Sequence, residues 1–445
     1  MDLNKPIIFK HSDILKAISE IGLCAATDGI WENQEFLEDW FVSPPRFTTI
    51  RINTLLSSAE EVENLVIESL NNEALRRGEL APRVSRFPDV PELLVLDPWV
   101  RLALPQPPQR EVVVDAACGA AVLRGANVFA PGLLAVPSGT QVGDDVSVFA
   151  DTAGLCLRGL SVPFSGPGKF HVGAGVMRMS RKQLLQNDNH PKGIAVEMTL
   201  PASHVSSVTL PPHLGLLQNL PSVLCSRVVD PRPGDKVIDL CAAPGHKTTH
   251  LAALMNNQGI LIALDKIGRK IETMKKLCTA MGAEVVRSFM FDATKAVSHE
   301  ASDDWSPPFL PDTFDRVLLD APCSALGQRP LFGNSITAKQ LTSHPRLQKK
   351  LFDTAVQLVK PGGTIVYSTC SITVEENEDV VSWALDRYPQ LALVPALPLV
   401  GRPGSSKSSL TEMQRCQIQR FGPPIGSTPQ LDTIGFFIAK FTKLS

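Results

Sequence analysis

Lys236-Val-Ile-Asp239-Leu240-Cys241-Ala242-Ala243-Pro244-Gly245-His246-Lys247-Thr248-Thr249 is the stretch whose reading decides the fold. Its first five residues read as a strand, and from Lys247 to Met255 the pattern is helical. Between them, small residues and one glycine let the backbone approach a ligand closely. The helix N-terminus beyond favours a negative group. The three-glycine dinucleotide signature is absent. Outward from this unit the alternation continues. Gly259–Leu264, Glu284–Met290, Phe314–Leu319 and Thr364–Tyr367 read as strands, and Lys266–Met281 and Leu347–Val359 as helices. Lys360-Pro-Gly-Gly363 ends the last of these helices, and Ile434–Phe441 reads as a buried strand. Strands and helices in turn predict an α/β fold with a doubly wound, mostly parallel sheet.

Two strand-like peptides of this sheet stop at a thiol: Arg316-Val-Leu-Leu-Asp320-Ala-Pro322-Cys323 and Gly363-Thr-Ile-Val-Tyr367-Ser-Thr369-Cys370. If both strands lie in one parallel sheet, both thiols reach its carboxyl edge, where such sheets bind ligands. Thiolate is a strong nucleophile at neutral pH, so the pair points to covalent chemistry. The other reading is that each cysteine is a small apolar filler. The strand ends also carry acids. Asp265 is placed to accept ribose hydroxyls, Asp292 ends the third strand and Asp320 the fourth. One such Asp is ordinarily a cap or turn residue. Three on one sheet suit a nucleoside with a cationic substituent, such as S-adenosyl-L-methionine, better than a pyrophosphate.

The chain has 445 residues, 44% apolar and 20% charged, which is the composition of a globular protein with two or three domains. A formal charge of −2 supplies no global attraction to nucleic acid, so any such binding needs local patches. Nine scattered cysteines show no paired or metal-type spacing. They imply reduced thiols, an intracellular (cytoplasmic) protein and no metal site. The first ten residues lack a signal-peptide core, and no stretch is long enough in apolar residues for a membrane span. Residues 12–41 read as helical, Phe47–Thr54 as a strand and 59–70 as a helix. The proline-rich run from Pro88 to Pro108 reads as a connector. From about residue 110, short β-branched runs alternate with glycines, which predicts a small inserted β-barrel. The boundaries are 1–108, an N-terminal α/β region; 109–203, the barrel; and 204–445, the parallel-sheet domain.

The motifs resemble those of the Sun-domain RNA (cytosine-5)-methyltransferases. The resemblance is carried by Cys241-Ala-Ala-Pro-Gly-His-Lys247, Asp320-Ala-Pro-Cys323-Ser324, Ser368-Thr-Cys370-Ser371 and, near the N-terminus, Arg51-Ile-Asn53-Thr54. The segment from about 110 to 200 resembles a PUA domain, an RNA-binding barrel, and an insertion there is similar to the PUA-containing tRNA methyltransferase branch of that family. The resemblance implies a Rossmann-like class I methyltransferase domain with Cys241 to Lys247, Asp265, Asp292 and Asp320 around S-adenosyl-L-methionine. It implies that Cys370 attacks carbon 6 of a cytosine and that Cys323 helps release the product. From thiol chemistry alone the two cysteines stay interchangeable. Asp320 is expected at the base, and Lys247 at Asp320 or the base; the alternative for Lys247 is a solvated lysine.

For RNA grip, Lys169, Arg178, Arg181 and Lys182 form a run without acids inside the insertion, and Lys339, Arg346, Lys349 and Lys350 form a second. Such runs are also found as plain solvated faces. Phe129 is a candidate to stack on an unpaired base, or a core residue. The implied partner is the acceptor stem and CCA end of tRNA, with mRNA as a further RNA class, for a monomeric enzyme. The alternatives are an RNA-binding scaffold with a methyltransferase-like domain, and the same chemistry on rRNA or mRNA.

Overall fold

The computed structural model describes residues 5–11, 14, 34–100, 108–185, 191–300, 304–423 and 432–444. Most of the helix expected over 12–41 lies outside these; a helix is present over Gln34–Val42. Strand β1 (Thr48–Ile52) buries its second half. The next helix, Ala59–Arg77, starts at Ser58, whose hydroxyl accepts from the Glu61 N–H. It buries Val62, Val66, Leu70 and Ala74, one every fourth residue. It outruns the expected residue 70 and closes at Gly78, which takes the left-handed conformation at φ 65°.

The expected connector from Pro88 holds a strand instead. β2 (Val84–Phe87) and β3 (Val90–Leu96) form a hairpin, and β3 also pairs antiparallel with β1. Pro91 is tolerated because it falls where the β2–β3 register shifts and beyond the reach of β1.

The inserted segment forms its own sheet of β4 (Glu111–Asp115), β5 (Val128–Phe129), β6 (Leu133–Ala135), β7 (Asp145–Asp151), β8 (Lys169–Met177) and β9 (Ile194–Pro201). Their spatial order is β5-β9-β8-β7-β4-β6, with β4 and β7 parallel. A helix the pattern did not announce, Ala116–Leu123, lies on this sheet. Its run of small residues carries no polar face to reveal it, and Gly119 packs against Ala150 of β7 where no Cβ fits. β10 (Gly215–Leu217) then returns to pair with β1 in the N-terminal sheet.

The third sheet contains β11 (Lys236–Asp239), β12 (Ile260–Asp265), β13 (Val286–Met290), β14 (Phe314–Asp320), β15 (Val359–Thr369), β16 (Leu391–Val394), β17 (Gln419–Phe421) and β18 (Phe436–Lys443). Its order is β13-β12-β11-β14-β15-β18-β16, with β17 on β18. β11 to β15 pair in parallel and β18 antiparallel. Successive residues face opposite layers. Val237 and Leu261 pack with helices Leu220–Val229, His246–Leu254 and Gly268–Ala280; Ile238 and Ile262 pack on the side of Ala338–Leu358 and Glu378–Arg387. Strand order reverses between β11 and β14, which opens a crevice at their carboxyl ends. No described helix is long and apolar enough to cross a membrane.

Candidate active site

Both thiols reach that crevice. β14 and β15 pair with Asp320 opposite Ser368, so the peptides leaving them run side by side. Cys323 Sγ and Cys370 Sγ stand 3.3 Å apart. Gly327, which follows Cys323, donates its N–H to the Cys370 carbonyl at 2.8 Å. Only glycine fits there, since a Cβ would sit 2.0 Å from the Gly435 carbonyl oxygen.

The two thiols are not equivalent. The hydrogen bond to Cys370, then burial, push the Cys323 thiol well above its ordinary value. Cys370 is lowered: accepting that hydrogen bond outweighs burial and the Asp320 charge, and Gln328 and Lys247 help. The two shifts run in opposite directions, so Cys370 is the thiol favoured to ionise.

Lys247, in the first turn of His246–Leu254, donates to Asp320 Oδ2 at 2.7 Å, and the Ser368 hydroxyl donates to Oδ1 at 2.7 Å. Burial works to lower the Lys247 ammonium, but Asp320 overrides it and the net shift is upward. This is not a solvated lysine. Its helix begins at Gly245, whose φ of 102° favours glycine. Arg51, from β1, lies fully buried under the same turn, with Nη2 on the Thr249 hydroxyl at 2.9 Å and Nε on Gln218 at 2.7 Å. Asn53 Nδ2 reaches the Met281 carbonyl at 3.0 Å. The N-terminal signature is thus a brace for the loop and helix of the parallel sheet.

Around the loop, Asp265 ends β12 and caps the Ile267 N–H. β13 stops at Met290, so Asp292 lies just past the strand rather than ending it; it caps the turn Ala293–Lys295 through Thr294. Asp239, not singled out by the sequence reading, ends β11. Burial pushes its carboxyl up to about 7, and one of its oxygens is buried without a partner. The Cys241 thiol is held far above its ordinary value by burial and four nearby carboxylates, which leaves its loop to act through backbone. Carboxylates ringing an open loop fit a nucleoside that carries positive charge.

In the inserted sheet the cationic run is partly compensated. Lys169 pairs with Glu111 of β4, two strands away, at 2.5 Å, and Arg178 with Glu197 of the adjacent β9 at 2.6 Å. Arg181 spends its guanidinium on the Val136, Gly159 and Leu160 carbonyls. Lys182 is exposed, and Phe129 is 52% exposed rather than a core residue.

A sequence model of the 16S rRNA methyltransferase RsmB/F family matches residues 226–442. The chain is 43% identical over 423 residues to human tRNA (cytosine(72)-C(5))-methyltransferase NSUN6, covering 90% of this chain and 89% of that one. It is 30% identical over 525 residues to the rRNA (cytosine-C(5))-methyltransferase NOP2C of Arabidopsis thaliana, covering 90% and 86%. The crystal structure of NSun6 from Pyrococcus horikoshii with SFG superposes with a TM-score of 0.74 at 28% identity, covering 98% of this chain and 99% of that one. With paired thiols at the carboxyl edge of a doubly wound sheet, and likeness over nine-tenths of both chains, this chain belongs to the RsmB/F, or Sun-domain, family of RNA (cytosine-5)-methyltransferases.

Proposed function

We propose that this chain methylates carbon 5 of a cytosine in the acceptor stem of tRNA, near the 3′ CCA end, with S-adenosylmethionine as methyl donor. The observation that carries the reading is the thiol pair, 3.3 Å apart, beside the Lys247–Asp320 pair. The stronger likeness to a tRNA(cytosine 72) enzyme than to an rRNA enzyme supports tRNA as the substrate class.

Carbon 5 of cytosine is a poor nucleophile. Addition of the Cys370 thiolate to carbon 6 breaks the aromatic system and makes carbon 5 enamine-like. Asp320, held by Lys247 and Ser368, is placed to accept a hydrogen bond from the cytosine amino group and orient the ring for attack. When bound, S-adenosylmethionine supplies an electrophilic methyl group to that carbon. Residues 241–247, with Asp265, Asp292 and Asp320, would hold it. Once Cys370 is bonded to carbon 6 it no longer takes the hydrogen bond that raises Cys323. Cys323, its proton lost to solvent, takes the carbon 5 proton, the electrons of that bond re-form the 5,6 double bond, and the Cys370–carbon 6 pair returns to sulfur. A target cytosine in a duplex must first be turned out of the stack. Phe129 and Lys182 are the exposed RNA contacts of the inserted sheet, with Lys169 at one end of its interior strand β8, Arg178 just past the other, and Arg181 shaping the loops beside them.

The test is to incubate tRNA and S-adenosylmethionine with single-cysteine variants. Cys370→Ala should give neither product nor adduct. Cys323→Ala should accumulate a covalent protein–RNA complex that survives a denaturing gel. Equal adduct from both, or from neither, would remove the division of roles.

A further inference from the structure

One buried carboxylate touches the chain around both thiols. Glu376 is 1% exposed. It accepts from the Ser324 N–H at 2.8 Å and from the Ser324 hydroxyl, the residue after Cys323. It accepts from the hydroxyl of Ser371, the residue after Cys370, and from Thr373 at 3.1 Å. Gln348 Nε2, from helix Ala338–Leu358, donates to Glu376 at 3.1 Å and to the carbonyl of Pro322, the residue before Cys323, at 3.1 Å. The Tyr367 hydroxyl, three residues before Cys370, donates to the Glu376 backbone carbonyl.

The Ser324 N–H and the Gln348 amide can only donate to it, the three hydroxyls complete its hydrogen bonds, and none of these partners carries charge. Burying a carboxylate charge without a cation is costly unless its hydrogen bonds are complete. Simple packing between two loops does not require it. What the carboxylate provides is a common anchor for segments 47 residues apart in the chain.

We propose that Glu376 is a positioning residue: it fixes the Cys323 and Cys370 loops at the separation and orientation that let one thiol donate to the other. This rests on the roles proposed for the two thiols. The same charge acts on the nearer one, adding to the hydrogen bond, burial and Cys370 charge that keep the Cys323 proton in place.

The test compares wild type, Glu376→Gln, and Cys370→Ala in single-turnover methylation of a tRNA transcript. Glu376→Gln keeps the shape and removes the charge. The expected result is a methylation rate lower by about tenfold or more, with KM for RNA within about twofold of wild type. In the Cys370→Ala background, adding Glu376→Gln should move the onset of Cys323 alkylation by iodoacetamide to lower pH, a shift that packing alone does not produce. A folded Glu376→Gln protein at the wild-type rate, or an unmoved alkylation profile, overturns the proposal. If circular dichroism shows Glu376→Gln unfolded, the Ser324→Ala/Ser371→Ala double variant carries the rate test: a loss of about fivefold or more supports the anchor, and wild-type rate overturns it. Methylation by Cys370→Ala would instead sink the reading of the thiols.

Discussion

Two thiols in contact, shifted in opposite directions, have an asymmetry with a measurable sign. The Cys370 pKa is depressed chiefly by the hydrogen bond from Cys323. Thiolate, and with it alkylation of Cys370, should therefore appear at lower pH than for an ordinary thiol near ~8.5. In Cys323→Ala the hydrogen bond is gone, burial and Asp320 are left opposing ionisation, and the midpoint for Cys370 should move up. Site-resolved mass spectrometry of iodoacetamide labelling across pH reads both midpoints; a midpoint unchanged by Cys323→Ala would refute this origin of the asymmetry. The two thiols and their strands were visible in sequence, because a β-branched run ending in Cys is a local pattern. The opposite shifts of the two thiols were not. They depend on Gln328, Lys247 and Asp320, which meet only in the folded crevice. Glu376 was missed for the same reason, since nothing in its neighbourhood of the chain announces donors from Ser324 and Gln348.

Among the elements, those with clear periodicity were read closely and those without it were not. β11, β12 and the helix Gly268–Ala280 follow their expected bounds because strand and helix residues alternate sharply there. Helix Leu220–Val229 was unread: it buries Leu220, Val223, Leu224, Cys225, Val228 and Val229 with little polar face, so no amphipathic stripe marks it. β3 was hidden by its flanking prolines. The element that joins the two halves is β1, through Arg51. Burial lowers its guanidinium to about 10, still charged at neutral pH. Arg51→Ala would leave Gln218 and Thr249 without their donor, beneath the turn that carries Lys247. The expected loss of unfolding free energy is on the order of 3 kcal/mol by urea denaturation, with a slower methylation rate. A variant with unchanged stability would show that Arg51 does not brace this helix.

At the scale of the whole molecule, the charge balance is near neutral, so RNA must be held by a few placed side chains rather than by a broad field. The run from Lys169 to Lys182 looked uncompensated along the chain because Glu111 and Glu197 arrive from other strands. That leaves Lys182 and the exposed ring of Phe129 as the contacts to test. Phe129→Ala combined with Lys182→Glu should raise KM for tRNA several-fold, leave kcat near wild type, and flatten the dependence of binding on salt. Unchanged KM would place the RNA elsewhere. The central claim, cytosine-5 methylation of tRNA through Cys370, is tested most directly by bisulfite sequencing of a mixture of tRNA and rRNA. The RNA would be incubated with S-adenosylmethionine and either the wild-type chain or Cys370→Ala. The account predicts one protected cytosine in the tRNA acceptor stem with the wild-type chain and none with Cys370→Ala; protection confined to rRNA, or protection that survives Cys370→Ala, would contradict it.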